Sequence, residues 1–98
     1  MAMTGFQRGA TLRSVRFTFQ APANARRVTL VGEFNSWNRS QAALQRSVAG
    51  GWETTLELAP GRYQYKFLVN DDQWFADPKA AASAPNPYGT TNSVIDVR

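Results

Sequence analysis

Residues 61–69 read GRYQYKFLV, and this stretch decides the fold class of the chain. Aromatic and aliphatic side chains alternate along it with a second set that is mostly polar. A period of two is typical of a β-strand that buries one face and exposes the other. The predicted inward set is Tyr63, Tyr65, Phe67 and Val69, and the outward set is Arg62, Gln64, Lys66 and Leu68.

The same period continues on the N-terminal side of this strand. Pro60-Gly61 is a tight turn, and residues 52–58 before it alternate as a further strand. Residues 15–19 and 28–33 have the same pattern. Residues 42–48 are ambiguous, because AALQRSV fits either a short strand or one helical turn.

On the C-terminal side, Asn70-Asp71-Asp72 turns the chain into a short strand at residues 73–76. Residues 77–91 (DPKAAASAPNPYGTT) form a loop rich in proline and alanine with no period of its own. A loop of that length in a small domain is usually functional or mobile. Residues 93–98 then close the chain as a final strand.

About seven short strands separated by Gly/Pro turns predict an all-β protein, an antiparallel β-sandwich. A small closed barrel is the alternative, since periodicity alone does not separate the two. The 98 residues are enough for one domain. We expect residues 1–13 to be a flexible leader and residues 14–98 to be the domain.

The chain contains no cysteine and no histidine. Disulfides, thiol nucleophiles, Cys/His zinc sites and histidine general bases are therefore excluded. The seven acidic residues fall on polar strand faces or in turns, where solvation or backbone capping explains them, and no Gly-rich phosphate loop is present. These observations predict a protein that is not an enzyme and has no cofactor or metal.

Positive charge is concentrated near the N-terminus. The first 32 residues contain five arginines and no acid, while the rest of the chain carries a net charge of −1. Such asymmetry raises nucleic acid or an anionic surface as a partner, although solvated arginines explain it as well. No apolar run approaches the roughly 18 residues of a membrane span.

Aromatic residues stand at positions that a core does not require. Trp52 has the apolar parity of its strand, and we expect it in the core. Trp37 lies instead in a turn of polar residues. Trp74 and Phe75 are sequence neighbours, so their side chains point to opposite faces and only one enters the core. One sheet face could therefore present Trp74 and Lys66 together, with Trp37 arriving from a loop.

An exposed aromatic platform of this kind marks a binding site without identifying the ligand. Flat rings match the apolar C–H face of a pyranose, and Lys, Asn and Thr side chains can bond its hydroxyls. Nucleobase stacking and protein docking use similar surfaces. The residues alone leave these three ligand classes open.

Four stretches together resemble carbohydrate-binding module family 48, the glycogen-binding domain found in the AMP-activated protein kinase beta subunit and in branching and debranching enzymes. They are VTLVGEFNSWN at residues 28–38, PGRYQYKFLV at 60–69, Trp74 to Asp77-Pro78, and NSVI at 92–95. The resemblance covers roughly residues 15–98.

The resemblance implies an immunoglobulin-like sandwich that binds α-1,4-linked glucans such as glycogen, starch and maltooligosaccharides. It assigns stacking to two tryptophans and hydrogen bonding or contact to four further residues of the chain. The implied carbohydrate-binding residues are Trp37, Lys66, Trp74, Tyr88, Thr90 and Asn92.

Three partner hypotheses follow. The first is an α-glucan, bound without catalysis by a cytoplasmic protein. The second is a catalytic domain, an enzyme subunit or a kinase, docked on the same surface with weak or no sugar binding. The third, single-stranded nucleic acid, is disfavoured because the aromatic platform contains one lysine only, and no membrane partner is expected.

Overall fold

Two antiparallel β-sheets pack against each other in the computed structural model of this protein, which describes residues 11–98. The predicted leader, residues 1–13, lies largely outside the described residues. Eight strands build the sheets: β1 (Arg13–Phe19), β2 (Val28–Gly32), β3 (Gln45–Arg46), β4 (Trp52–Leu58), β5 (Gly61–Val69), β6 (Gln73–Phe75), β7 (Ala82–Pro85) and β8 (Thr91–Val97).

The strands pair in the order β1-β4-β3 in one sheet and β2-β5-β8-β7 in the other, where β6 also pairs with β5. The predicted antiparallel sandwich is thereby confirmed. The ambiguous segment 42–48 crosses between the sheets: Ala43 bridges to Thr29 of β2, and β3 then pairs with β4. A 3₁₀ turn, Glu33–Asn35, follows β2 directly.

The core lies between the two sheets and is rich in aromatic rings. Phe19 of β1 stacks on Phe67 of β5 with ring centroids 4.4 Å apart, and Phe17 meets Tyr65 edge to face at 5.3 Å. Both geometries are favourable for aromatic pairs. Trp52 is also buried in this cluster, as its parity predicts.

The Pro/Ala-rich stretch 77–91 was predicted to be a loop throughout, and this is wrong for its centre. Residues 82–85 form β7, which pairs with β8. Half-buried Ala82 and Ala84 alternate with exposed Ser83 and Pro85, so a period of two exists but its apolar members are too small to stand out. Pro85 is tolerated because β7 is an edge strand.

The two ends of the β structure meet. Arg13 at the start of β1 pairs with Leu58, and Val97 at the end of β8 pairs with Gly61. The Nε of Arg13 donates to the main-chain oxygen of Arg98 at 2.8 Å. Both ends therefore lie beside the turn that joins β4 to β5.

Candidate functional site

The outward face of the five-stranded sheet carries most of the predicted site residues. β5 runs along the middle of this face, with β2 on one side and β6 and β8 on the other. Leu68 of β5 pairs with Trp74, and Lys66 pairs with Val31 of β2. One step beyond the last β5–β8 pair, Asn92 lies beside Lys66. Paired residues share a face, so the register brings Lys66, Trp74 and Asn92 together.

The floor of this face is apolar and nearly closed to solvent. Val31, Leu68 and Val94 all have outward parity, yet Leu68 is only 1% exposed and the other two are buried as well. The guanidinium of Arg39 lies 5.4 Å from the centroid of the Trp74 ring. Arg39 belongs to the loop after β2 and Trp74 to a strand on the other side of β5, so the two side chains meet across β5.

Trp37 is presented by a tightly bonded loop. The side chain of Asn35 accepts the main-chain N–H of Gly32 at 3.1 Å and donates to the oxygen of Leu30 at 3.0 Å. Ser36 and Trp37 both take left-handed backbone conformations, with φ 54° and 59°. A bulky residue with positive φ is uncommon and marks a local constraint. The Trp37 side chain is 39% exposed.

The same loop is fastened to β5. Glu33 accepts the main-chain N–H of Gln64 at 2.8 Å. Close approach is possible because Gly32 has no side chain: a Cβ there would lie 2.6 Å from the main-chain oxygen of Gln64. This anchor, together with the Arg39–Trp74 contact, holds the Trp37 loop against the sheet that carries Trp74.

Trp74 and Phe75 point to opposite faces of β6, as predicted. Trp74 is 40% exposed, whereas Phe75 packs toward the core with its ring centroid 5.8 Å from that of Phe19. The preceding turn places Asn70 and Asp71 at φ 52° and 69°. Asn and Asp adopt this left-handed region more readily than other side chains, which explains their presence in the turn.

The side chain of Asn70 fixes that turn against the loop between β1 and β2. Its Oδ1 accepts the main-chain N–H groups of Arg26 and Arg27 at 2.8 and 3.1 Å, and its Nδ2 donates to the oxygen of Asn24 at 3.1 Å. The start of β6, and hence the position of Trp74, is set by these three bonds.

The hairpin tip between β7 and β8 supplies the remaining predicted residues. Lys66 Nζ donates to Thr90 Oγ1 at 3.2 Å. Asn92, to which the resemblance assigns sugar bonding, is only 8% exposed and donates through Nδ2 to Gln64 Oε1 at 3.0 Å. Tyr88 stands at the tip and is 87% exposed.

The structure therefore joins Lys66, Thr90 and Asn92 in one polar row and places Trp74 on the same face. The loop of Trp37 reaches Trp74 through Arg39. Sequence reasoning did not single out Arg39. Its position two residues after Trp37 in a turn was the one available signal.

The carboxylates of this face are engaged in structural contacts. Glu33 accepts a main-chain N–H, and Asp96 pairs with Arg62 at 3.3 Å. Among residues 11–98, no group of three or more metal-ligating side chains lies together. The described part of the chain also contains no helix long and apolar enough to cross a membrane.

A partly buried hydrogen bond anchors the chain just after β6. Tyr65 donates its hydroxyl to Asp77 Oδ2 at 2.7 Å, and the main-chain N–H of Asp77 donates to Ser93 Oγ at 2.7 Å. Burial of Tyr65, and then its bond to the Asp77 carboxylate and the charge of that carboxylate, raise the pKa of Tyr65 well above its ordinary value.

Tyr65→Phe tests this anchor. We expect the variant to lose about 1–2 kcal/mol of unfolding free energy at pH 7, because it lacks a bond to a charged group. With its raised pKa, Tyr65 keeps its proton in the folded state after the unfolded chain has lost it, so wild-type stability falls above about pH 10. The unfolding free energy of the variant should fall less steeply with pH in that range, by up to about 1.4 kcal/mol per pH unit. Urea unfolding at a series of pH values measures both effects, and parallel curves would contradict the assignment.

Residues 14–98 match the family described as the glycogen recognition site of AMP-activated protein kinase. A 1,4-alpha-glucan branching enzyme GlgB 2 of Rhizobium johnstonii is 41% identical over 91 residues, which is 86% of this chain and 12% of that enzyme. The 5'-AMP-activated protein kinase subunit beta-1 of Sus scrofa is 38% identical over 80 residues, 82% of this chain and 62% of the subunit.

A chloroplastic protein and a solved structure are also similar to this chain. Protein FLOURY ENDOSPERM 6, chloroplastic, of Oryza sativa subsp. japonica is 37% identical over 86 residues, 88% of this chain and 15% of that protein. The crystal structure of a maltogenic amylase from S. marinus superposes with a TM-score of 0.70 at 24% identity, over 87% of this chain and 13% of the amylase. The chain thus spans only a small part of the enzymes that it resembles.

Proposed function

We propose, from the premise that this chain belongs to the family of the glycogen recognition site of AMP-activated protein kinase, that it binds α-1,4-linked glucans without transforming them. The observation that supports the proposal is the outward face of β5, where the partly exposed indole of Trp74 accompanies a row of hydrogen-bonding side chains, and where the loop that carries the partly exposed Trp37 reaches Trp74 through Arg39. The resemblance to carbohydrate-binding module family 48 is confirmed by the match over residues 14–98.

The aromatic and the polar side chains of that face would contact different parts of a glucose ring. An indole offers a rigid, apolar surface at low conformational cost, and the C–H face of a glucose ring is the apolar surface that complements it. Lys66 and Thr90 supply polar atoms for the hydroxyls at the ring edge. Recognition of this kind needs no titrating group, which agrees with the absence of histidine from the chain.

The platform is shallow, so modest affinity is expected. We expect a dissociation constant between micromolar and millimolar, about −4 to −8 kcal/mol. A few stacked rings on an open surface must also offset the lost freedom of the ligand. The role that suits such affinity is to keep a polysaccharide near a catalytic partner, and we expect this to take place in the cytoplasm.

A titration of maltoheptaose followed by tryptophan fluorescence tests the proposal. We expect a saturable change that is absent with a cellooligosaccharide of the same length, because the β-1,4 chain is straighter than the curved α-1,4 chain. The dissociation constant should change by less than about twofold between low and high salt, since a neutral ligand releases no counterions.

Two outcomes would contradict glucan specificity. Equal binding of both oligosaccharides would mean that the face recognises sugars without regard to linkage. No binding of either, with tight salt-dependent binding of single-stranded nucleic acid, would restore the nucleic-acid hypothesis.

A second candidate function is docking of a catalytic domain on the same face. It is favoured by the share of the relatives that this chain covers, 12% of a branching enzyme and 62% of a kinase subunit. Docking predicts no retardation in native gels that contain glycogen, together with a measurable complex with a glucan-metabolising enzyme or kinase.

A further inference from the structure

Asn86 lies at the base of the β7–β8 tip and orients it through main-chain bonds. Its Oδ1 accepts the main-chain N–H groups of Tyr88 and Thr90 at 3.0 and 3.2 Å. Its own N–H donates to the main-chain oxygen of Thr90 at 3.0 Å. A main-chain N–H can only donate, so the amide oxygen of Asn86 must face the tip. The amide nitrogen must therefore face the other way.

The orientation of the Asn86 amide determines the orientation of two further side-chain amides on the outward face. Asn86 Nδ2 donates to Asn92 Oδ1 at 3.0 Å, and Asn92 Nδ2 donates to Gln64 Oε1 at 3.0 Å. Each amide has one oxygen and one nitrogen end, so fixing the first fixes the next two. The two side-chain amides beyond Asn86 thus bond through their oxygens within the row and keep N–H groups to offer.

The hydroxyl of Thr90 is also left as a donor toward any outside group. Its Oγ1 accepts Asn86 Nδ2 at 2.7 Å and Lys66 Nζ at 3.2 Å. A hydroxyl has two acceptor positions and one proton, so both acceptor positions are used inside the protein. The exposed Thr90 hydroxyl can then only donate to an outside group, as can the ammonium of Lys66.

We propose that Asn86 is a positioning residue that sets the hydrogen-bonding polarity of this row, so that the row meets its ligand as a set of donors. The inference rests on the proposed function and refines it. The sugar oxygens contacted here would act as acceptors, and Asn86 would contribute through Thr90 and Asn92 without touching the sugar itself.

Two substitutions at the same position separate polarity from simple support. Asn86→Asp keeps an oxygen for the N–H groups of Tyr88 and Thr90, and a carboxylate accepts such bonds more strongly. It replaces the donating nitrogen by an acceptor, however, and so turns the Thr90 proton inward. Asn86→Ala removes the support but leaves the Thr90 hydroxyl free to donate outward.

We expect the dissociation constant for maltoheptaose to rise about tenfold in Asn86→Asp, the equivalent of one lost hydrogen bond. In Asn86→Ala it should rise by only about threefold, while the aspartate variant melts at the higher temperature of the two. Measurements in about 1 M salt, where the Debye length is about 3 Å, remove any new attraction between the introduced carboxylate and Lys66. Gln45→Glu on β3 is the charge-matched control and should bind as the wild type does.

The outcomes are distinct. If Asn86→Asp binds as well as the wild type, or better than Asn86→Ala, the polarity assignment is wrong and Asn86 only supports the tip. If the wild-type protein fails to bind maltoheptaose, the proposed function is overturned and this inference with it.

Discussion

Retention on glycogen should be lost when Trp74 is replaced by alanine. The exposed part of the indole would cover on the order of 80 Å² of a sugar ring, which is roughly 2 kcal/mol at about 25 cal/mol per Å². A loss of that size is about a 30-fold weakening, which takes an affinity in the weaker half of the expected range beyond what gel retention detects. Trp37→Ala should act in the same way, since its ring is equally exposed.

The fold should survive both changes. Trp74 lies on a three-residue strand, and the turn before it is fixed by the side chain of Asn70 independently of the indole. Affinity electrophoresis in glycogen gels measures retention, and circular dichroism measures folding. Val48→Ala, a fully exposed apolar position between β3 and β4, is the matched control. A folded Trp74→Ala protein that is still retarded would refute the stacking role.

Trp52→Ala should have the opposite effect: a large loss of unfolding free energy without a loss of glucan binding by the folded protein. Trp52 is buried at the start of β4, opposite Phe19, and the guanidinium of Arg46 lies 4.8 Å from the centroid of its ring. Removing a buried tryptophan costs about 3–5 kcal/mol of unfolding free energy through lost burial and the cavity left behind. For a domain of this size that is a large part of the total stability.

Urea unfolding of Trp52→Ala and Trp74→Ala side by side measures the contrast. The exposed tryptophan should cost under about 1 kcal/mol, as surface positions usually do. A loss below about 1 kcal/mol for Trp52→Ala would mean that the ring is not part of the core. Binding by the fraction of Trp52→Ala that remains folded should be unchanged.

Sequence periodicity predicted the all-β fold because several of its strands alternate between apolar and polar residues. In β4 and β5 the inward parity of Trp52, Tyr65 and Phe67 agrees with their burial. The opposite orientations of Trp74 and Phe75 follow from the same rule. These properties are local, since the pleat alone decides which side a residue faces.

What the sequence could not predict depends on contacts between distant segments. Leu68 has outward parity, yet it is buried, and on its side of the sheet the loop carrying Arg39 approaches Trp74 across β5. β7 escaped notice because alanines carry too little apolar surface to reveal a period. The burial of Asn92 likewise depends on distant segments, since its side chain bonds to Gln64 of β5 and to Asn86 of the hairpin tip.

The positioning role of Asn86 had one sequence signal. Asparagine favours turns because its side chain bonds to the backbone two residues on, and Asn86-Pro87-Tyr88 has that form. The further bonds from Asn86 to Thr90 and Asn92 depend on how the hairpin closes. No pattern in the chain encodes that directly.

The two ends of the β structure meet beside the β4–β5 turn, and this has a consequence for where a linked domain could attach. Gly61, where the ends converge, is seven residues along β5 from Leu68, which is about 23 Å in an extended strand. A neighbouring domain linked at either of these ends would attach at the end of the sheet remote from Trp74. A glucan stacked on Trp74 could then extend away from such a domain.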